Sequence, residues 1–170
     1  HKAEQLFFEA KEIDEKVLGK GHPSYAKSSG NLALLYTIMG NYQKAEPLFL
    51  EAKKIYEKVF GKKRPDYAIS CGNLALLYEL MGNYQKAEQL YIEANEIITF
   101  LSKESAKFLS EKERERYLSN QINYNFDIYH SFFLTKRKEN ERLTGIIYNN
   151  ALNLKGQLLR SSIAIRKAVL

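Results

Sequence analysis

One internal repetition constrains this chain more than any other feature. Gly30-Asn31-Leu32-Ala33-Leu34-Leu35-Tyr36 recurs as Gly72-Asn73-Leu74-Ala75-Leu76-Leu77-Tyr78, at an offset of 42 residues. The stretch from Met39 to Glu46 recurs from Met81 to Glu88 at the same offset, and Pro23 and Gly19 recur as Pro65 and Gly61. Projected backwards, Lys44-Ala45-Glu46 falls on Lys2-Ala3-Glu4 and Phe49 on Phe7, so the sequence begins half a unit in. A fixed period of this length is the signature of a stacked array whose units bury their apolar faces on one another.

Each unit reads as two helices. The first is expected from about Ser24 to Met39. Pro23 suits a helix start, and Tyr25, Leu32, Leu35, Tyr36 and Met39 recur at helical spacing. Gly40 can take the left-handed conformation that ends a helix, and Asn41 can cap the next. The second is expected from about Tyr42 to Val59, with Ala45, Leu48, Phe49, Ala52, Ile55, Tyr56 and Val59 as one stripe. Pro47 removes a backbone donor inside that helix, where a slight bend is expected without a break. Gly61 and Lys62-Lys63-Arg64 form the turn to the next pair. Ala33, Ala45, Ala75 and Ala87 permit close helix approach, with Tyr36 and Phe49 filling the space beside them.

Leu32-Ala33, Tyr36, Gly40, Tyr42, Ala45, Phe49 and Ala52, repeated as Leu74-Ala75, Tyr78, Gly82, Tyr84, Ala87, Tyr91 and Ala94, resemble the tetratricopeptide pattern. The 42-residue unit resembles the kinesin-light-chain variety, longer than the usual 34. Ser29 and Ser70 stand where the family motif usually has an aromatic residue near its start. The resemblance covers residues 1 to about 103. It implies an all-α fold, a right-handed α-α superhelix, in which the first helix of each pair lines a concave groove that commonly holds an extended peptide. Carried over by position, Asn31 and Asn73 bond the peptide backbone. Lys27 and Ile69, Leu34 and Leu76, and Ile38 and Leu80 point into the same groove. Asparagine offers a donor and an acceptor together, which matches a peptide unit. The alternative is that both asparagines only tie neighbouring helices together.

After Phe100-Leu101 the repetition stops, which divides the chain into residues 1–103 and 104–170. Ser110-Glu111-Lys112-Glu113 is a capping-box signal for a helix running to about Lys136. A turn at 137–140 and a last helix over about 141–169 complete a long hairpin expected to pack on the last repeat. "LSEKERERYL", "NFDIYHSFFL" and "YNNALNLKGQLLRSS" are similar to the segment joining tetratricopeptide arrays to CHAT domains in bacterial proteins. That resemblance implies a piece of a longer protein whose caspase-like domain follows. The charge is uneven: residues 1–103 carry 14 Lys+Arg against 13 Asp+Glu, and residues 104–170 carry 12 against 7. A solvated basic face accounts for the excess most simply.

Composition narrows the functional classes. With 45% hydrophobic and 27% charged residues the chain can build a core, so disorder is not expected. No run approaches the roughly 20 apolar residues of a membrane span, and no secretory signal opens the chain, so a cytoplasmic setting is expected. Cys71 is the single cysteine and reads as a buried thiol. His1, His22 and His130 are far apart and share no metal-ligand spacing. No phosphate-cradling glycine loop is present. The tyrosines and phenylalanines fall mostly on core positions, so nucleic-acid binding is not expected. Neither catalysis, metal nor cofactor is expected. The expected partner is a protein or peptide in the groove. The alternatives are a regulatory linker in a CHAT protein and self-assembly of copies through the uncapped apolar face of helix 1–19.

Overall fold

A computed structural model describes residues 2–105 together with 110, 112, 113, 116 and 132. The five helices of the described residues are α1 (Lys2–Leu18), α2 (Pro23–Ile38), α3 (Tyr42–Phe60), α4 (Pro65–Leu80) and α5 (Tyr84–Ser105). They begin and end within a residue or so of the positions expected from the sequence. The chain divides within α5 into two compact units, His1–Leu101 and Ser102–Leu170. In the first, α1 packs on α2, α2 on α3 and α3 on α4.

The turns explain the sharp boundaries. Gly19, Gly40, Gly61 and Gly82 all take φ between 74 and 82°, the left-handed conformation that costs glycine nothing. Asn41 then caps α3, its side-chain oxygen accepting the Lys44 N–H, and Asn83 does the same for Lys86. His22 has a role that the sequence did not announce. Its Nδ1 accepts the Ser24 N–H and so caps α2 ahead of Pro23. Arg64, at the matching place before α4, makes no side-chain cap bond. α3 runs unbroken past Pro47.

Burial follows the small-residue positions. Ala33, Ala45, Ala75 and Ala87 are wholly buried, as are Tyr25, Phe49, Tyr67 and Tyr91. Two stripe positions depart from expectation: Met39 and Val59 are exposed. Met39 is the C-cap just past α2, and Val59 is the next-to-last residue of α3.

Ser29 is buried, and its Oγ has no hydrogen-bond partner among the described residues. A buried hydroxyl without a partner costs about 1–3 kcal/mol. The matching place in the next unit is Cys71, a weaker hydrogen-bonding group of similar size. Ser29→Ala is therefore expected to raise stability by about 1 kcal/mol in denaturant unfolding. A loss of stability of similar size would show that the hydroxyl is satisfied.

In the second unit, Ser110 N–H and Oγ–H both donate to the Glu113 carboxylate, which is one half of the expected capping box. These two bonds hold the Glu113 carboxyl below its ordinary range. Lys112, Glu113, Arg116 and Phe132 are helical, and Phe132 is buried. The remainder of the expected hairpin, with His130, Gly145, Gly156 and the last helix, lies outside the described residues.

Candidate functional site

α2 and α4 are the first helices of successive pairs, and both begin at a proline. Residues 42 apart in sequence therefore stand at matching heights on the two helices. Between them lies a cleft of about 290 Å³ floored by α3. Ala26, Lys27, Gly30 and Asn31 form the α2 wall. Asp66, Ile69, Ser70 and Asn73 form the α4 wall, and Phe49, Ala52 and Tyr56 form the floor. A side chain at position 30 would project into open space, so glycine there widens the cleft.

Of the eight groove residues expected from the sequence, the cleft gathers Lys27, Asn31, Ile69 and Asn73. Leu34, Ile38, Leu76 and Leu80 lie outside it, further along the same two helices. Leu34, Ile38 and Leu80 are exposed, Ile38 most of all at 76%, and Leu76 is half-buried. They form an apolar continuation beyond the cleft's end.

The two asparagines carry the distinctive chemistry. No described residue bonds the side-chain amide of Asn31 or of Asn73. Each leaves a carbonyl acceptor and an NH₂ donor at the cleft wall. Lys27 and Asp66, one on each wall, make no ion pair with a described residue. Asp66 lies near the Tyr56 ring. Burial first, and this carboxylate second, push the Tyr56 hydroxyl above its ordinary range, so it remains a neutral donor. The arrangement is an apolar floor beneath a polar rim, the usual chemistry of a site that seats a side chain while holding its backbone.

Sequence reasoning did not place Phe49, Ala52 and Tyr56 at this site. The apolar stripe marked them as core but could not say that the gap between α2 and α4 leaves them at the bottom of a cleft. Asp66 and Ser70 gave no signal of their own.

No described group matches a reaction centre or ligand set. Cys71 is buried, and its thiol is pushed up to about 12, first of all by burial. It stays protonated at neutral pH and is a poor nucleophile. Among the described residues no three His, Cys, Asp or Glu side chains converge, and no helix is long and apolar enough to cross a membrane.

A family model described as tetratricopeptide repeat matches residues 1–57 and 29–98. Among solved structures, the nearly identical TPR-like repeats of a kinesin light chain from Podosopora anserina are similar at 22% identity. That match covers 99% of this chain and 87% of the other, with a TM-score of 0.54. A single-residue variant of the same protein is similar at 22% identity, covering 98% and 83%, with a TM-score of 0.54. At that identity the likeness is one of fold. No curated protein sequence matched.

Proposed function

The chain belongs to the tetratricopeptide repeat family, and on that premise we propose that it is a binding scaffold for an extended protein or peptide segment, held in the cleft between α2 and α4. One observation carries this reading: Asn31 and Asn73 present amides with no partner among the described residues on the first helices of successive pairs, at matching heights, above an apolar floor. An extended segment crossing the two helices meets a donor and an acceptor at each. It lays one side chain on Phe49, Ala52 and Tyr56, and others on the apolar continuation at Leu34, Ile38, Leu76 and Leu80. Lys27 and Asp66 at the rim select for charge.

The test is calorimetry of the chain with a partner segment selected from a peptide library. Asn31→Ala with Asn73→Ala is expected to weaken binding by about 2–3 kcal/mol, two lost hydrogen bonds at about 1–1.5 kcal/mol each. Because neither amide bonds the protein itself, the thermal midpoint should stay within a degree or two. Unchanged affinity in the double variant would reject the cleft.

The regulatory reading, in which the chain serves a larger CHAT protein, rests on the likeness of stretches within residues 109–162 to the segment that precedes such domains. The coding sequence beyond Leu170 decides it. A bacterial, cytoplasmic setting belongs to the same proposal.

A further inference from the structure

The cleft carries two residues that the repeat does not explain. The residues one unit away from Tyr56 are Asp14 and Ile98, and the residue one unit before Asp66 is Ser24. Stacking of the units therefore dictates neither the ring nor the carboxylate, yet both line the same cleft. Asp66 stands in the first turn of α4, where the helix dipole favours its ionised form. Its side chain is half-buried, and no described residue pairs with it.

Cations are close in sequence but committed elsewhere. Lys62, Lys63 and Arg64 stand just before Pro65 and Asp66. Lys62 pairs with Glu57 at 3.4 Å and with Glu93 at 3.7 Å. Lys63 lies 4.6 Å from the Phe100 ring centre, and Arg64 lies 5.8 Å from that of Phe60. None of the three lines the cleft. Lys27, on the opposite wall, is exposed and makes no ion pair with a described residue.

The chain itself shows what such a ring and carboxylate hold. Tyr25 donates to Glu51 and has Lys11 at 4.9 Å from its ring centre. Tyr67 donates to Glu93 and has Lys53 at 5.0 Å, and Tyr78 donates to Glu46 and has Lys86 at 4.6 Å. Tyr36 combines Glu4 with Lys44 at 5.1 Å. In each case a carboxylate beside the tyrosine goes with an ammonium over its face. Tyr56 and Asp66 supply the first two parts, and no described residue supplies the third.

We propose that the bound segment supplies it: an arginine or lysine side chain of the partner lies along Phe49 and Ala52, with its charged head over the Tyr56 ring and against the Asp66 carboxylate. This rests on the cleft being the binding site. Arginine and lysine have apolar stems that cover an apolar floor while the head stays with polar groups. Asn73 lies about two turns beyond Asp66 on α4, so a segment held at the amides directs a long side chain down the floor to the carboxylate. An aliphatic or aromatic side chain would cover the floor but leave the Asp66 charge desolvated without a partner. Lys27 repels a second cation at the opposite wall.

The probe is a set of N-acetylated, C-amidated nine-residue peptide pools added to the full 170-residue chain. The central residue is fixed in turn as Arg, Lys, Leu, Phe or Glu, and the others are random over uncharged residues. The Arg and Lys pools are expected to be retained about five- to tenfold more than the Leu pool, the combined effect of a half-buried ion pair and a cation–π contact. Asp66→Asn should remove the preference, and Asp66→Lys should turn it towards the Glu pool. Tyr56→Leu keeps the floor apolar and should reduce retention of the Arg pool alone. Lys27→Glu changes an exposed residue and should raise retention of the Arg and Lys pools. It decides the matter if the Asp66 variants lose helicity, and the absence of a rise then overturns the inference. A preference for Arg and Lys that folded Asp66 variants leave unchanged would overturn it, as would a preference of the unmodified chain for Leu, Phe or Glu. In those two cases, loss of retention in Asn31→Ala with Asn73→Ala would still keep the cleft as the binding site. Retention of no pool at all would overturn both.

Discussion

Phe49→Ala is expected to cost about 3–5 kcal/mol, the range for deleting a buried aromatic side chain. Phe49 is 1% exposed, at the centre of the α3 face buried with Ala45 and Ala52. Its alanine neighbours cannot move in to fill the space, because they are the closest-approach positions between helices. The residual cavity therefore adds to the lost transfer energy. Leu50, one residue on, is exposed, and Leu50→Ala should stay within about 0.5 kcal/mol. Denaturant unfolding of the two variants side by side is the measurement. Similar midpoints would show that the array does not depend on the α3 stripe. Because Phe49 also floors the cleft, its loss should weaken partner binding at temperatures where the variant remains folded.

Glu93→Ala is expected to cost about 2 kcal/mol, a charge-assisted hydrogen bond at a partly exposed site plus the orphaned donor. Glu93 on α5 accepts from Tyr67 Oη at 2.7 Å, pairs with Lys53 at 3.4 Å and with Lys62 at 3.7 Å. One carboxylate thus joins α3, the α3–α4 turn, α4 and α5. Removing it leaves the hydroxyl of a wholly buried tyrosine without its acceptor. Glu51, its counterpart, bonds Tyr25 at 3.1 Å and has no lysine within ion-pair distance among the described residues. Glu51→Ala should therefore cost about half as much.

The pH dependence separates the two further. Burial alone would raise the Glu93 carboxyl, but the Tyr67 hydroxyl, Lys53 and Lys62 outweigh it and hold the carboxyl below its ordinary value of 4.5. A carboxyl depressed in the folded state contributes stability that is present above its unfolded value and lost as pH falls through the folded one. Wild type should lose stability more steeply than Glu93→Ala below about pH 4.5. Parallel acid unfolding curves would show that the carboxylate is not held this way.

Much of the fold was legible in the sequence because each local signal repeats. The left-handed Gly40 and Gly82, the capping Asn41 and Asn83, and the buried alanines are enforced by backbone geometry or by close approach, and both kinds of constraint are written into residue type. The cap at His22 was not legible, since histidine is an unusual capping residue and the matching Arg64 does not cap. For the site, the positions carried over from the family resemblance lie along α2 and α4, and the cleft takes in only some of them. Lys27, Asn31, Ile69 and Asn73 meet in the cleft, and Leu34, Ile38, Leu76 and Leu80 do not.

The 42-residue period by itself determined the paired-helix array, its turns and the small residues that let helices touch, because stacking identical units leaves little choice of packing. Only the tertiary structure decided two things: that a cleft opens over Phe49, Ala52 and Tyr56, and that the amides of Asn31 and Asn73 have no partner among the described residues. These depend on the distances between helices and on which neighbours each face meets. A repeating sequence fixes what each helix offers, and the neighbours at each position decide what remains free.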